Sequence, residues 1–115
     1  MQTEIYIDTV SNEKLNKEFS YYINGSIKYE EYKMNDQLHR EDGPSWVYYY
    51  ENGNIDQKSY WVRGNLHRDN GPAIVRYTED GIIDSKEYWI KGKQIRDDLQ
   101  IFLLETLEME LENGI

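Results

Sequence analysis

The chain has no cysteine, so neither a disulfide frame nor a thiolate metal site is available, and nothing requires an oxidising compartment. No apolar run is long enough to span a bilayer, and the first residues lack the basic-then-apolar pattern of a signal peptide. A soluble cytoplasmic protein is the expectation. No Gly-rich phosphate loop, nucleophile elbow or zinc-ligand spacing occurs. Histidine is scarce, with His39 and His67 alone. Bases are missing from one end: six of the 22 acids, and none of the 13 Lys and Arg, follow Arg96. Most of the net charge of -9 therefore sits in residues 97–115. Such a chain repels nucleic acid and anionic lipid, which need a basic footprint, and attracts a basic protein surface.

What the chain holds in quantity is tyrosine, eleven of them, with three tryptophans. These large amphipathic side chains can build a sheet surface, so the 30% of charged residues do not imply disorder. At 115 residues a single domain is expected.

A repeat of 28 residues organises that domain. Gly53, Ile55, Tyr60, Leu66, His67, Arg68, Gly71 and Pro72 align with Gly25, Ile27, Tyr32, Leu38, His39, Arg40, Gly43 and Pro44 one unit earlier. Gly81, Ile83, Tyr88, Trp89, Gly92 and Arg96 continue the register one unit later. Each unit opens on Asn24-Gly25, Asn52-Gly53 or Asp80-Gly81, the strongest short-range hairpin signal. A strand follows, then a second turn at Asn35-Asp36, Arg63-Gly64 or Lys91-Gly92. The segment Leu-His-Arg-acid-(Asp/Asn)-Gly-Pro then leads into another strand, 45–50 or 73–77. The fold class this predicts is mainly β: one antiparallel meander of six to eight strands, with a C-terminal capping helix. Residues 1–19 read as an N-terminal cap with a strand at 3–10 and a turn or short helix at 11–18. Residues 20–96 are the repeats.

In the third unit Gln94-Ile95 replaces Leu-His, and Leu99-Gln100 replaces Gly-Pro. Leu99, Leu103, Leu104, Leu107 and Leu111 then recur at helical spacing, predicting an acidic helix over 98–112. Asp97 or Asp98 would cap its start and Asn113-Gly114 would stop it. The leucine stripe is expected to cover the open end of the sheet. Asp98, Glu105, Glu108 and Glu112 gather on the other side, with Ile101, Phe102 and Met109 among or beside them. Apolar residues beside an acidic face suggest an interface. Burial within the chain's own fold and a dimer contact are the two alternatives.

Equal repeat positions are displaced by a whole unit, so two strands separate the imidazoles by roughly 10 Å. That is too far to share a metal ion. His39, Arg40, Gly43 and Pro44, with His67, Arg68, Gly71 and Pro72, are read as a structural motif, the histidine packing on a neighbouring tyrosine and the arginine bridging to the loop acid. No catalytic residue, metal ligand or cofactor is assigned. Tyr48, Tyr49, Tyr50, Trp61 and Trp89 could stack bases or sugars, but ladder packing between strands explains them more simply.

The segments Tyr50-Glu51-Asn52-Gly53, Glu87-Tyr88-Trp89-Ile90-Lys91-Gly92-Lys93 and Leu-His-Arg-x-(Asp/Asn)-Gly-Pro-(Ser/Ala) resemble MORN-like repeats. The resemblance is to the variant found in viral, phage and bacterial proteins, among them an antitoxin-like family, and it spans about residues 20 to 96. It implies a β-hairpin array serving as a binding scaffold, with no single activity attached. The expected function is a non-enzymatic acidic interaction module. It would be a small inhibitor, of the viral or phage anti-defence (anti-CRISPR-like) or antitoxin/immunity kind, acting in the host cytoplasm if viral. The module would occlude a nucleic-acid- or nucleotide-binding site on a protein partner with a basic surface, without touching nucleic acid or membrane itself. Glu105, Glu108, Glu112, Ile101, Phe102 and Met109, with Trp61 and Trp89 as anchors, are the expected contact residues. A repeat module assembling as a homo-oligomer is the alternative, and a nucleotide or sugar binder using the sheet aromatics is a distant third.

Overall fold

The computed structural model describes residues 1–112, apart from the side chains of Glu110 and Glu112. The expected stop at Asn113-Gly114 and the side chain of Glu112 lie outside the described residues. The chain is an antiparallel β meander closed by one C-terminal helix. Its strands are β1 (Gln2–Ile7), β2 (Lys14–Tyr21), β3 (Ile27–Met34), β4 (Gln37–Leu38), β5 (Trp46–Tyr49), β6 (Ile55–Ser59), β7 (Trp61–Val62), β8 (Asn65–Leu66), β9 (Ile74–Tyr77), β10 (Ile83–Ile90) and β11 (Lys93–Ile95). The helix α1 is Asp98–Glu112. Nine strands share one sheet in the order β1-β2-β3-β5-β6-β9-β10-β11, with β4 beside β3, and β7-β8 form a separate ribbon.

The 28-residue script is visible as structure. Each unit runs a long strand (27–34, 83–90, or 55–62 where it is broken at Tyr60 into β6 and β7), a tight hairpin and a short returning strand; a loop and a further strand follow in the first two units, and the helix follows in the third. The tight hairpins have positive φ at both central residues: Asn35 and Asp36 at 52° and 62°, Arg63 and Gly64 at 47° and 81°, Lys91 and Gly92 at 50° and 80°. This is the type I′ geometry whose twist matches antiparallel strands. The returning strands are only two or three residues long, and with them the first unit holds three strands (β3 to β5) and the second four (β6 to β9), rather than the expected two.

Neighbouring units are bonded at both ends. At the Asn-Gly turns, Asn24 Nδ2 donates to the Glu51 carbonyl and Asn52 Nδ2 to the Glu79 carbonyl. Tyr22 and Tyr50 hydroxyls donate to the carbonyls of Tyr49 and Tyr77. At the opposite end, the Arg40 and Arg68 amides donate to the carbonyls of Trp61 and Trp89, one unit ahead. The core is thin: Leu15, Tyr32, Val47, Ala73, Ile74, Val75 and Tyr88 are the buried hydrophobic residues.

Three sequence expectations change. The segment at 11–18 is not helical. Asp8 turns the chain and β2 follows, because Leu15, Lys17 and Phe19 alternate toward one face and pair with Tyr6, Glu4 and Gln2 of β1. The first strand ends at Ile7 rather than Val10. The helix has the expected bounds, capped by Asp97, whose Oδ1 accepts the Gln100 amide at 3.0 Å, but it is rolled the other way. Leu99, Phe102, Leu103, Leu107, Met109 and Leu111 are 46–67% exposed. Ile101, Leu104 and Glu108 are the half-buried positions on the side facing the sheet. The hollow beneath is lined by Lys58, Arg68 and Lys86 together with Pro72, Val75, Tyr77 and Ile83, and the three cations favour a carboxylate edge there.

Candidate functional site: two repeat loops and the helix that closes them

The two Leu-His-Arg loops are built alike. In each, the loop histidine uses Nδ1 to accept a backbone N–H from the next hairpin: Arg63 to His39 at 3.0 Å and Lys91 to His67 at 2.8 Å. A ring nitrogen that accepts is unprotonated, so the ring proton sits on Nε2. Nε2 then donates to Glu13 at 2.7 Å in the first loop and faces Asp69 at 3.0 Å in the second. His39 is fully buried.

Each arginine lies flat over the tyrosine of its own unit, with the guanidinium carbon 4.1 Å from the ring centroid for Arg40 on Tyr32 and for Arg68 on Tyr60. Each also donates Nη1 to the carbonyl of its loop proline, at 3.2 Å. The glycines of the motif now have a reason. A Cβ at Gly43 would meet the Arg40 guanidinium carbon at 2.9 Å, and one at Gly71 would meet Arg68 Nη1 at 2.8 Å. In both loops it is the arginine, not the histidine, that packs on a tyrosine; Arg40 also bridges to its loop acid Asp42, and each histidine reaches an acid of its own.

The loops differ in what closes them. In the first, Asp42 accepts from Arg40 Nε, the Thr9 amide and hydroxyl, and the Tyr6 hydroxyl. Burial would raise its pKa, but the Thr9 amide, Tyr6 and Arg40 outweigh this and hold the carboxyl well below the usual range. Asp8, fully buried, accepts four backbone amides, from Val10, Ser11, Glu41 and Asp42. Its burial penalty is likewise outweighed by those bonds, and its pKa is lowered. The N-terminal hairpin is thereby stitched to the first loop.

The second loop has Asn70 where the first has Asp42. Its arginine takes a carboxylate from outside: Glu108 of α1 lies 3.2 Å from Arg68 Nη1, both side chains partly buried. In the third unit the helix covers Tyr88 directly. Burial, then the Glu105 and Glu108 carboxylates, push the Tyr88 hydroxyl up to about 12. That buried hydroxyl has no hydrogen-bond partner among the described residues.

Between the loops lies an open cleft of about 640 Å³, lined by Arg40, Asp42, Tyr60, His67, Arg68 and Asn70 among others. Both nitrogens of its histidine are engaged, Nδ1 by the Lys91 amide and Nε2 by Asp69. Glu13, His39 and Glu41 offer three ligand atoms within 4.8 Å of one another. A metal there would need His39 Nε2 stripped of its proton while Nδ1 still accepts the Arg63 amide, which demands an imidazolate. The cluster is satisfied as a hydrogen-bonded set.

The residues singled out in the sequence separate into four groups. Phe102 is on the outward face of α1 and Met109, though largely exposed, edges the hollow between α1 and the sheet, whereas Ile101 and Glu108 face the sheet. Glu105 is exposed but lies at the rim of a hollow between α1 and the sheet. Trp61 and Trp89 are half-buried, their indole N–H groups donating to Ser59 Oγ and Glu87 Oε1. The sequence reading missed Asp8, and it missed the bonds from Asp42 to Tyr6 and Thr9. An Asp before Thr9-Val10-Ser11 is a turn signal, but its long-range partners have no local signature. Comparison with protein families, with curated proteins and with solved structures finds no match.

Proposed function

We propose that the chain is a non-enzymatic protein–protein interaction module, a small inhibitor built on MORN-like repeats that covers a nucleic-acid- or nucleotide-binding site of a basic partner. The observation carrying this reading is the outward face of α1. Six large apolar side chains, from Leu99 to Leu111, stand in solvent along a single helix, and an exposed patch of that kind is a docking surface. The mode is helix-in-groove, with Phe102, Leu103 and Leu107 as the central anchors.

Charge selects the occupant. Exposed Asp97, Asp98 and Glu105 flank the apolar residues, and the segment from 97 onward has no base. A second copy meeting this face would set two such segments against each other, whereas an apolar groove rimmed by Lys and Arg complements it. Both histidines having committed nitrogens supports the non-enzymatic part.

The test uses immobilised chain and basic nucleic-acid-binding proteins as probes. Capture should fall steeply toward about 0.5 M salt, and the Leu103→Asp/Leu107→Asp double variant should bind about 100-fold more weakly. Undiminished capture by the double variant would sink the reading. Self-association that resists salt and is lost in that variant would point to assembly instead.

A further inference from the structure

The two loops carry the same arginine on the same tyrosine, yet only one owns its carboxylate. Asp42 closes the first loop from two residues beyond Arg40. Asn70, its counterpart, supplies no charge, and the acid comes from the helix, 40 residues along the chain. Gly71 makes the room: a Cβ there would lie 2.6 Å from Glu108 Oε2. Beyond this pair, α1 meets the sheet through the half-buried Ile101 and Leu104 and a small apolar hollow that Leu103 and Leu104 share with Ile90 and Ile95. Its large apolar side chains mostly face outward, and beneath it lies a hollow of about 370 Å³ lined by Lys58, Arg68, Lys86, Glu105 and Glu108 among others. The buried Tyr88 hydroxyl at this seam finds no hydrogen-bond partner among the described residues.

We propose that the second loop is a carboxylate-receiving site that α1 fills through Glu108, and that α1 is therefore a releasable arm rather than a fixed cap. While docked, the helix offers only its outer face; released, it offers a groove its whole circumference. This functional sense rests on the docking reading above, but the release itself needs no partner, so the two can fail separately.

Three full-length variants test it by hydrogen exchange of peptides covering α1 and, as an internal control, β3, β6 and β10. Asn70→Asp sets an acid on the Nε edge of Arg68, as Asp42 does for Arg40, and places a second carboxylate beside Glu108. Gly71→Ala puts a methyl group against both Glu108 Oε2 and Arg68 Nη1, crowding the pair apart, and flexible side-chain ends move before backbone does. Glu108→Gln removes the charge. Each should speed exchange in α1 about tenfold or more while the sheet stays as protected as in the wild type. Wild-type protection of α1 in Asn70→Asp and Gly71→Ala would overturn the proposal. So would loss of sheet protection in step with the helix, since α1 would then be part of the folded core.

Discussion

The loop at 39–44 and the loop at 67–72 share Leu-His-Arg and Gly-Pro but close by different means. The first is locked from within and from the N-terminal hairpin: Asp42 holds Arg40, Tyr6 and Thr9, and Asp8 holds the backbone of Glu41 and Asp42. The second is closed by one carboxylate on a helix whose apolar residues mostly point away. The difference teaches that a repeat can keep its packing while delegating its charge. Arg40 and Arg68 have the same ring contact and the same proline carbonyl, so those contacts define the unit. The acid is the exchangeable part, and a chain that moves it to a distant segment ties that segment to the array.

The largest expected effect is at the inner lock. Asp42→Ala strips four hydrogen bonds, two of them from the part-buried Tyr6 and Arg40, and leaves Arg40 uncompensated, which should cost about 3 kcal/mol or more in urea unfolding. Asn70→Ala, at the matching position, should cost less than about 0.5 kcal/mol. Similar losses at the two sites would end the contrast.

Next comes the histidine pair. His39→Ala removes a fully buried ring that bridges Glu13 and the Arg63 amide and should cost about 2 kcal/mol. His67→Ala, whose acid partner is mostly in solvent, should cost about half of that. Equal midpoints for the two variants would mean that cover by the N-terminal hairpin adds nothing.

Acid sharpens the comparison without mutation. Asp8 and Asp42 both have lowered pKa values in the folded chain. Groups of that sign stabilise fully above the unfolded carboxylate value, near 4, and lose their contribution as pH falls below it. The urea midpoint of the wild type should therefore drop more steeply between about pH 4.5 and pH 2.5 than that of Asp42→Asn. Parallel curves would remove Asp42 from the account.

The smallest effect should come from the outer helix face. The Leu103→Asp/Leu107→Asp double variant should cost no more than about 1 kcal/mol in unfolding, since both side chains are already about half exposed, at 53% and 46%. A loss of several kcal/mol would place the leucines in the core.

Much of this architecture was legible before coordinates. The period of 28, the turn dipeptides and the bounds of α1 follow from local chemistry, because Asn-Gly, Asp-Gly and a capping Asp impose backbone geometry wherever they occur. What local chemistry could not supply was facing. On α1, leucines and acids form two arcs, and both are legitimate inner surfaces; the three cations lining the hollow, Lys58, Arg68 and Lys86, favour the acids there. Strand β2 was hidden for a related reason. Its Lys and Glu residues look like a loop until Lys17 is placed across from Glu4 and beside the Tyr32 ring. The inner lock was invisible because Asp8 and Asp42 meet across more than thirty residues, and no spacing in the sequence announces that meeting.

The ladder of turns has a consequence for size. Asn24 and Asn52 each hand a hydrogen bond to the turn one unit on, at 3.2 and 3.0 Å, and nothing in that handover involves either terminus. An extra copy of residues 53–80 spliced between the second and third turns would find donors and acceptors waiting on both flanks. The protein would lengthen by two strands of the main sheet, about 10 Å, with its N-terminal hairpin and its helix carried outward unchanged. Nature or an engineer could therefore set the distance between the two ends in fixed increments, as one sets a ruler by counting its divisions.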